Sequence, residues 1–288
     1  MSDDPLLSQL RQLAANLAAK NIPLVIGGGY GLLLKANHVE RIRARTRLEQ
    51  IPIARSTGDI DVFLTTEVII DKNNMAAIRQ ALDELDYSPV VGAEFYQFFR
   101  KVIVEGAPRN LKFDFLAAPV FGEQAKKVKA DVRRIRPRAV TRAPMHAHTT
   151  PEALTVEEHL LAVNIGEAGK SVEVFLPHPF SYVMLKLFAL RDQIDNEAKE
   201  FGRHHAFDIY STWAMMTEEE FGQAEGLRRQ YAAVGVMPEA IEIAAALFAD
   251  ENAKGMIRLQ EHARLDNVEL VQIGEFLKDI RTLFLKSV

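Results

Sequence analysis

Residues 58–64 read Gly-Asp-Ile-Asp-Val-Phe-Leu, and the reading of this run decides the fold. Ile60 and Val62 alternate with Asp59 and Asp61, the period of two of a β-strand. In a strand, residues i and i+2 point to one face, so the two aspartates stand side by side while Ile60 and Val62 face a core. Two carboxylates roughly 6.5 Å apart, at an effective dielectric of about 20, repel by roughly 2–3 kcal/mol. A divalent cation would offset that repulsion, and an edge strand with one wet face would tolerate it.

Upstream, residues 4–20 predict an amphipathic helix with Leu6, Leu7, Leu10, Leu13 and Leu17 on one side. A short apolar strand at 23–26 then runs into Gly27, Gly28 and Gly29, and a helix is expected over 30–35. Backbone amides at a helix start, with no side chain in the way, suit a phosphate. A glycine triplet equally marks a tight turn. Residues 36–54 carry Arg41, Arg43, Arg45 and Arg47, an alternation that predicts a loop or hairpin. Arg55, Ser56 and Thr57 come just before the aspartate pair, placed either to hold a triphosphate or to cap the strand.

Downstream, a helix is predicted over 74–85 and strands over 95–104 and 111–116. The last contains Asp114 between Phe113 and Phe115. A carboxylate in such surroundings is costly unless it is paired or bound to a metal. If this strand lies beside 59–64, three carboxylates converge into a hard-oxygen site suited to magnesium. Residues 155–158, Thr-Val-Glu-Glu, have capping-box spacing and predict a helix to about residue 164. Residues 172–176 predict a strand, and beyond Pro177 the periodicity is helical, with a second capping box at 217–220. The expected division is a mixed α/β (α+β) domain over 1–177 and an all-helical domain over 178–288.

The chain of 288 residues is 48% hydrophobic and 26% charged, the balance of a soluble globular protein. It has no cysteine, which excludes a disulfide framework and thiolate metal sites and fits a reducing, cytoplasmic setting. The N-terminus lacks a basic start followed by an apolar core, so no signal peptide is expected, and no apolar run is long enough to span a bilayer. A formal charge of −4 does not mark the whole protein as a nucleic-acid binder. The histidines, among them His146, His148, His178, His204 and His205, do not form a zinc-ligand pattern.

The order of glycine turn, Asp59-x-Asp61 and a later Asp114 resembles the nucleotidyltransferase superfamily with the DNA polymerase β-like fold. More narrowly, Arg55-x-Thr57-x-Asp59-Ile60-Asp61 resembles the AbiEii family, the toxin half of AbiE-type toxin–antitoxin pairs. Residues 177–213 resemble that family's helical lysine, following arginine, basic residue and aspartate, here Lys186, Arg191, Arg203 or His204, and Asp208. From Gly28 to Asp59 is 31 residues, longer than is usual in the family, the excess being the arginine-rich stretch 37–54.

The resemblance implies a polymerase β-like nucleotidyltransferase domain. It implies magnesium-dependent transfer of a nucleoside monophosphate from an NTP to an acceptor hydroxyl, with release of pyrophosphate. Asp59, Asp61 and Asp114 would bind two Mg2+ ions, with Asp114 also the general base toward the acceptor. Residues 27–29, Arg55, Ser56, Thr57 and Arg191 would bind the nucleotide, Lys186 would contact its phosphates and Asp208 would support the site. The role would be that of a toxin with an antitoxin partner, and tRNA is a candidate acceptor. The arginines at 41–47, and the basic segment 126–142 with Arg133, Arg134, Arg136 and Arg138, are candidate RNA-binding positions, or solvated faces. The sequence has no interleaving of aromatic and basic residues that would indicate base stacking. The alternative acceptors are a small antibiotic or a protein side chain, and the alternative class is a non-catalytic nucleotide-binding module.

Overall fold

The computed structural model describes residues 4–52, 58–104, 107–131, 133–140, 143–166, 169, 171–262 and 270–285. The chain divides into two compact units. The first takes Met1–Leu34, Arg55–Thr150 and Val156–Pro177, and the second takes Lys35–Ala54, Pro151–Thr155 and His178–Val288. A mixed α/β part followed by an all-helical C-terminal region is therefore what the sequence folds into.

The first unit opens with α1 (Pro5–Ala18), β1 (Val25–Ile26) and the start of α2 (Gly28–Ile42). It continues with β2 (Asp59–Phe63), α3 (Thr66–Ile70), α4 (Lys72–Glu84), β3 (Ser88–Pro89), β4 (Gln97–Val104) and β5 (Ala107–Ala117). After a short α5 (Gly122–Ala125) come β6 (Val128–Asp131), β7 (Arg134–Pro137), β8 (Ala147–Thr149), β9 (Leu161–Ile165) and β10 (Val172–Leu176). The strands form one sheet in the order β6-β7-β8-β5-β2-β1-β10-β9, with β4 on β5 and β3 on β4.

The long strand β5 organises this sheet. On one side it pairs in parallel with β2. Its other side is shared, β4 taking the stretch up to Asp114 and β8 taking Leu116 and Ala117. The junction between β4 and β8 is closed by the Tyr96 carbonyl, which accepts from Phe115 N at 2.8 Å. Two ring stacks close it further, Tyr96 on His148 at 5.3 Å and Phe95 on His146 at 4.4 Å.

One face of the sheet is the core. Ile60 and Val62 of β2 join Phe113 and Phe115 of β5, all essentially inaccessible, and pack with Leu10, Leu13 and Leu17 of α1 and Ile78 and Leu82 of α4. Helix α1 is set by Asp4, whose Oδ1 caps Leu6 N at 2.9 Å while Oδ2 accepts from Tyr30 Oη at 2.8 Å. That second bond ties the start of α1 to the first turn of α2.

The second unit comprises α6 (Pro179–Gln193), α7 (Arg203–Ala214), α8 (Glu218–Gln230), α9 (Met237–Leu247), α10 (Lys254–Gln260) and α11 (Leu270–Leu285). Helix α6 is buried nearly all round, as a central helix must be. An aromatic cluster of Tyr210, Trp213, Phe248 and Phe276 packs edge to face, with centroids at 5.4 Å for Tyr210–Phe276 and 5.8 Å for Phe248–Phe276. The predicted capping box at 217–220 forms, with Thr217 and Glu220 each serving the other's backbone N–H.

Two expectations fail. The stretch after residue 35 is not a loop from its start, because α2 continues to Ile42. Lys35 is buried and pairs with Glu220, and Val39, one turn later, is also buried. These two positions at i and i+4 hold the helix on its neighbours, so the arginine alternation starts only where the helix is ending. Arg43, with φ of 52°, terminates it.

The capping box at 155–158 does not open a helix either. The Thr155 hydroxyl bonds to Ser181 Oγ at 2.9 Å instead of capping its own segment. Glu157 accepts from Thr66 N at 3.0 Å and Thr66 Oγ1 at 2.8 Å, pinning the start of α3 just after β2. The chain then enters β9, whose Val163 and Ile165 alternate into the core and pair with β10. A long-range partner took the Thr155 hydroxyl that a local cap would have needed.

Candidate functional site

The parallel pairing of β2 with β5 sets Asp61 opposite Asp114 and Asp59 opposite Lys112. With a period of two, all four side chains share the face that Ile60, Val62, Phe113 and Phe115 leave free. The convergence of Asp59, Asp61 and Asp114 on one sheet face thus follows from register, not from proximity in sequence.

The glycine turn lies against this face. Gly27 N donates to the Asp61 carbonyl at 2.8 Å, next to the first turn of α2. A Cβ placed on Gly27 would stand 2.4 Å from the ring of Phe63, and one on Gly28 would stand 2.0 Å from Asp61 Oδ2. Gly28 also has φ of +60°, a conformation that L side chains rarely adopt. Glycine is therefore required at both positions by close approach. At Gly28 the approaching group is the carboxylate itself, beside amides at a helix N-terminus that lack intrahelical partners.

The charge at the centre comes from Lys112. Its Nζ lies 3.0 Å from Asp114 Oδ2 and 3.3 Å from Asp59 Oδ2. Burial works to lower the Lys112 pKa, but hydrogen bonds and charge from Asp114 and Asp59 outweigh it, and the net shift is upward. Asp114 moves the other way from an ordinary carboxylate. Burial raises its pKa to about 6, Lys112 pulls it down, and the charges of Asp61 and Asp59 push it up. Asp114 Oδ1 is buried and has no hydrogen-bond partner among the described residues.

This raised value predicts a pH effect on stability in metal-free protein. Between the unfolded value near 4 and about 6, the folded state binds the extra proton, so stability falls as pH rises through that window. The loss is on the order of 2 kcal/mol. Urea unfolding in EDTA at pH 4.5 and 7, compared with Asp114→Asn, isolates it. A wild-type protein with no more pH slope than the variant would place the Asp114 carboxyl in an ordinary environment.

Among the described residues, no group of three or more His, Asp or Glu side chains that could hold a metal ion is gathered. Two of the three carboxylates, Asp59 and Asp114, are held on the Lys112 ammonium. Their donor chemistry nonetheless fits a hard divalent cation. They supply oxygens only, from neighbouring strands, and one buried oxygen of Asp114 lacks a partner.

The same face continues into β8, β7 and β6. Register places His148 level with Leu116, Arg134 level with His148, and Lys129 level with Arg136. Arg134, Arg136 and Lys129 are thus on the carboxylate face by period and pairing. Arg134 lies over the Phe95 ring at 6.0 Å and 3.7 Å from Asp131. Arg136 donates to the Val140 carbonyl, and Arg138 Nε donates to the Val128 carbonyl at 3.1 Å. Arg133 is exposed, with a positive φ of 127°.

Other predicted positions fall elsewhere. Arg55, Ser56 and Thr57 lie outside the described residues. In the second unit, Lys186 Nζ meets Asp208 Oδ2 at 2.8 Å, with both side chains nearly inaccessible. Arg191 is tied to Glu239 and, at 2.8 Å, to Asp192. Arg47 is held by Glu218 at 3.1 Å and by Asp279 at 3.6 Å, and it sits 4.1 Å over the Phe221 ring. Arg41, Arg43 and Arg45 are exposed.

Sequence reasoning missed Lys112, Phe95 and Tyr96. For Lys112 a signal was present, since it precedes Asp114 by two in the same strand. The aromatics gave none, because they meet the basic strands only through folding. Among the described residues, no helix is long and apolar enough to cross a membrane. No family model, curated protein or solved structure matches the chain.

Proposed function

We propose that this protein is a magnesium-dependent nucleotidyltransferase of the polymerase β-like, AbiEii-type class. It would move a nucleoside monophosphate from an NTP to an acceptor hydroxyl and release pyrophosphate. The observation that carries this reading is the in-register pairing of Asp61 with Asp114, with Asp59 beside them and Gly28 against Asp61. A strand pair that gathers carboxylates beside a glycine turn supplies what phosphoryl transfer needs, positioning and charge compensation.

Asp59, Asp61 and Asp114 would hold the metal, which when bound neutralises charge on the phosphates. The N-terminal amides of α2, at residues 28–30, would be donors to a phosphate. Asp114, with its pKa raised to about 6, is ionised at neutral pH yet more basic than an exposed carboxylate, which suits a base for the acceptor hydroxyl. Lys186 and Asp208 enter on the family resemblance, as do the toxin role and an antitoxin partner. Arg134, Arg136 and Lys129, on the carboxylate face, favour a polyanionic acceptor such as RNA over a cationic antibiotic.

One incubation tests the reading. Purified protein, magnesium, each labelled NTP in turn, and total RNA with lysate protein should yield one labelled class, RNA. An Asp59→Ala/Asp61→Ala protein must lose that label. Label that persists in the double variant, or none with any NTP, overturns the assignment.

A further inference from the structure

Among the described residues, Lys112 is a strongly placed group at the centre of this site that the proposed reaction leaves without a role. Its Nζ spans Asp59 Oδ2 and Asp114 Oδ2 on adjacent parallel strands. It is about three-quarters buried, and its strand is fixed by β2 on one side and β4 on the other. An ammonium that bridges two carboxylates neutralises part of their charge and occupies the space between them. A divalent cation coordinated by the same oxygens needs that space and offers the same compensation with twice the charge. The two cannot both sit between Asp59 and Asp114.

We infer that Lys112 is an internal counter-ion that keeps the carboxylate cluster assembled without metal and must be displaced when a divalent cation binds. This rests on the reading of Asp59, Asp61 and Asp114 as metal ligands. Lys112 is then a positioning residue with two opposed effects. It stabilises the metal-free fold by offsetting carboxylate repulsion, and it weakens metal binding by competing for the same oxygens.

The test is Mn2+ binding to the full chain, followed by the loss of the free-ion electron paramagnetic resonance signal, with thermal unfolding measured with and without Mn2+. Lys112→Met is expected to bind Mn2+ about tenfold more tightly than wild type. It should also melt lower in EDTA and gain more from added Mn2+. Lys112→Arg, which keeps the charge, should bind Mn2+ no better than wild type, and Lys112→Gln gives a second neutral variant should the methionine protein fail to fold. Equal or weaker Mn2+ binding by the neutral variants, with wild type binding normally, overturns the competition and leaves the metal assignment standing. Absence of binding in wild type and every variant removes the metal assignment and this inference together.

Discussion

Lys186→Met is expected to lower the unfolding free energy of the second unit by about 3–5 kcal/mol. The Lys186 and Asp208 side chains are only 11% and 4% exposed, and their ion pair is 2.8 Å long. Removing the ammonium takes the Lys186 charge away from a carboxylate buried on α7, and the desolvation penalty of that carboxylate, not the worth of the pair, sets the size of the loss. Lys186→Met/Asp208→Leu removes both charges and should recover most of the stability. The chain has one tryptophan, Trp213, buried on the helix that carries Asp208, so its fluorescence reports unfolding of this unit directly. A single variant as stable as wild type would mean that Asp208 does not carry a buried charge. The double variant also separates structure from chemistry. If Lys186 contacts the phosphates, the double folds but transfers no label. If transfer returns with stability, Lys186 only holds the helices together.

This pair also marks what the sequence could show. The resemblance marked Lys186 and Asp208 each as a site residue but not as partners of one another, since no spacing rule relates positions on two different helices. What was legible was local. The period of two placed Asp59 and Asp61 on one face, and the flanking phenylalanines made Asp114 anomalous before any partner was known. The α1 stripe and the 217–220 capping box were equally local, and both form as read.

Illegible were features set by pairing between distant strands. The match of Asp61 to Asp114 rather than to Lys112 is a matter of register, and a slip of one residue would have turned the aspartates to the core. The failed capping box gives the same lesson in reverse. Thr155 and Glu158 had the right spacing, but Ser181, distant in sequence, took the Thr155 hydroxyl, and Thr66 engages the intervening Glu157. Within the arginine run, long-range pairing engages Arg47 with Glu218, Asp279 and Phe221, whereas Arg41, Arg43 and Arg45 stay exposed.

Gly28→Ala is expected to reduce transfer by about 100-fold, because a displacement of order 1 Å at a reacting group costs about that much. The added methyl would lie 2.0 Å from Asp61 Oδ2, closer than any real contact, so either the carboxylate or the turn must move. The positive φ of +60° adds roughly 1–2 kcal/mol for an L residue, so a moderate fall in melting temperature accompanies the loss. Two neighbours separate site from fold. A methyl on Gly27 would meet the buried Phe63 ring at 2.4 Å rather than a carboxylate, so Gly27→Ala should act chiefly on stability, through the packing of that ring. A methyl on Gly58 meets nothing within 4 Å among the described residues, so Gly58→Ala, next to Asp59 in sequence, should be near neutral in both assays. Labelled transfer and thermal unfolding of the three variants decide the matter. A Gly28→Ala protein as active as Gly58→Ala would show that the turn does not position Asp61, and the glycine signal would then mark only a tight corner into α2. The ranking Gly28 worst in transfer and Gly27 worst in stability is the pattern expected if the turn serves the carboxylate as well as the chain.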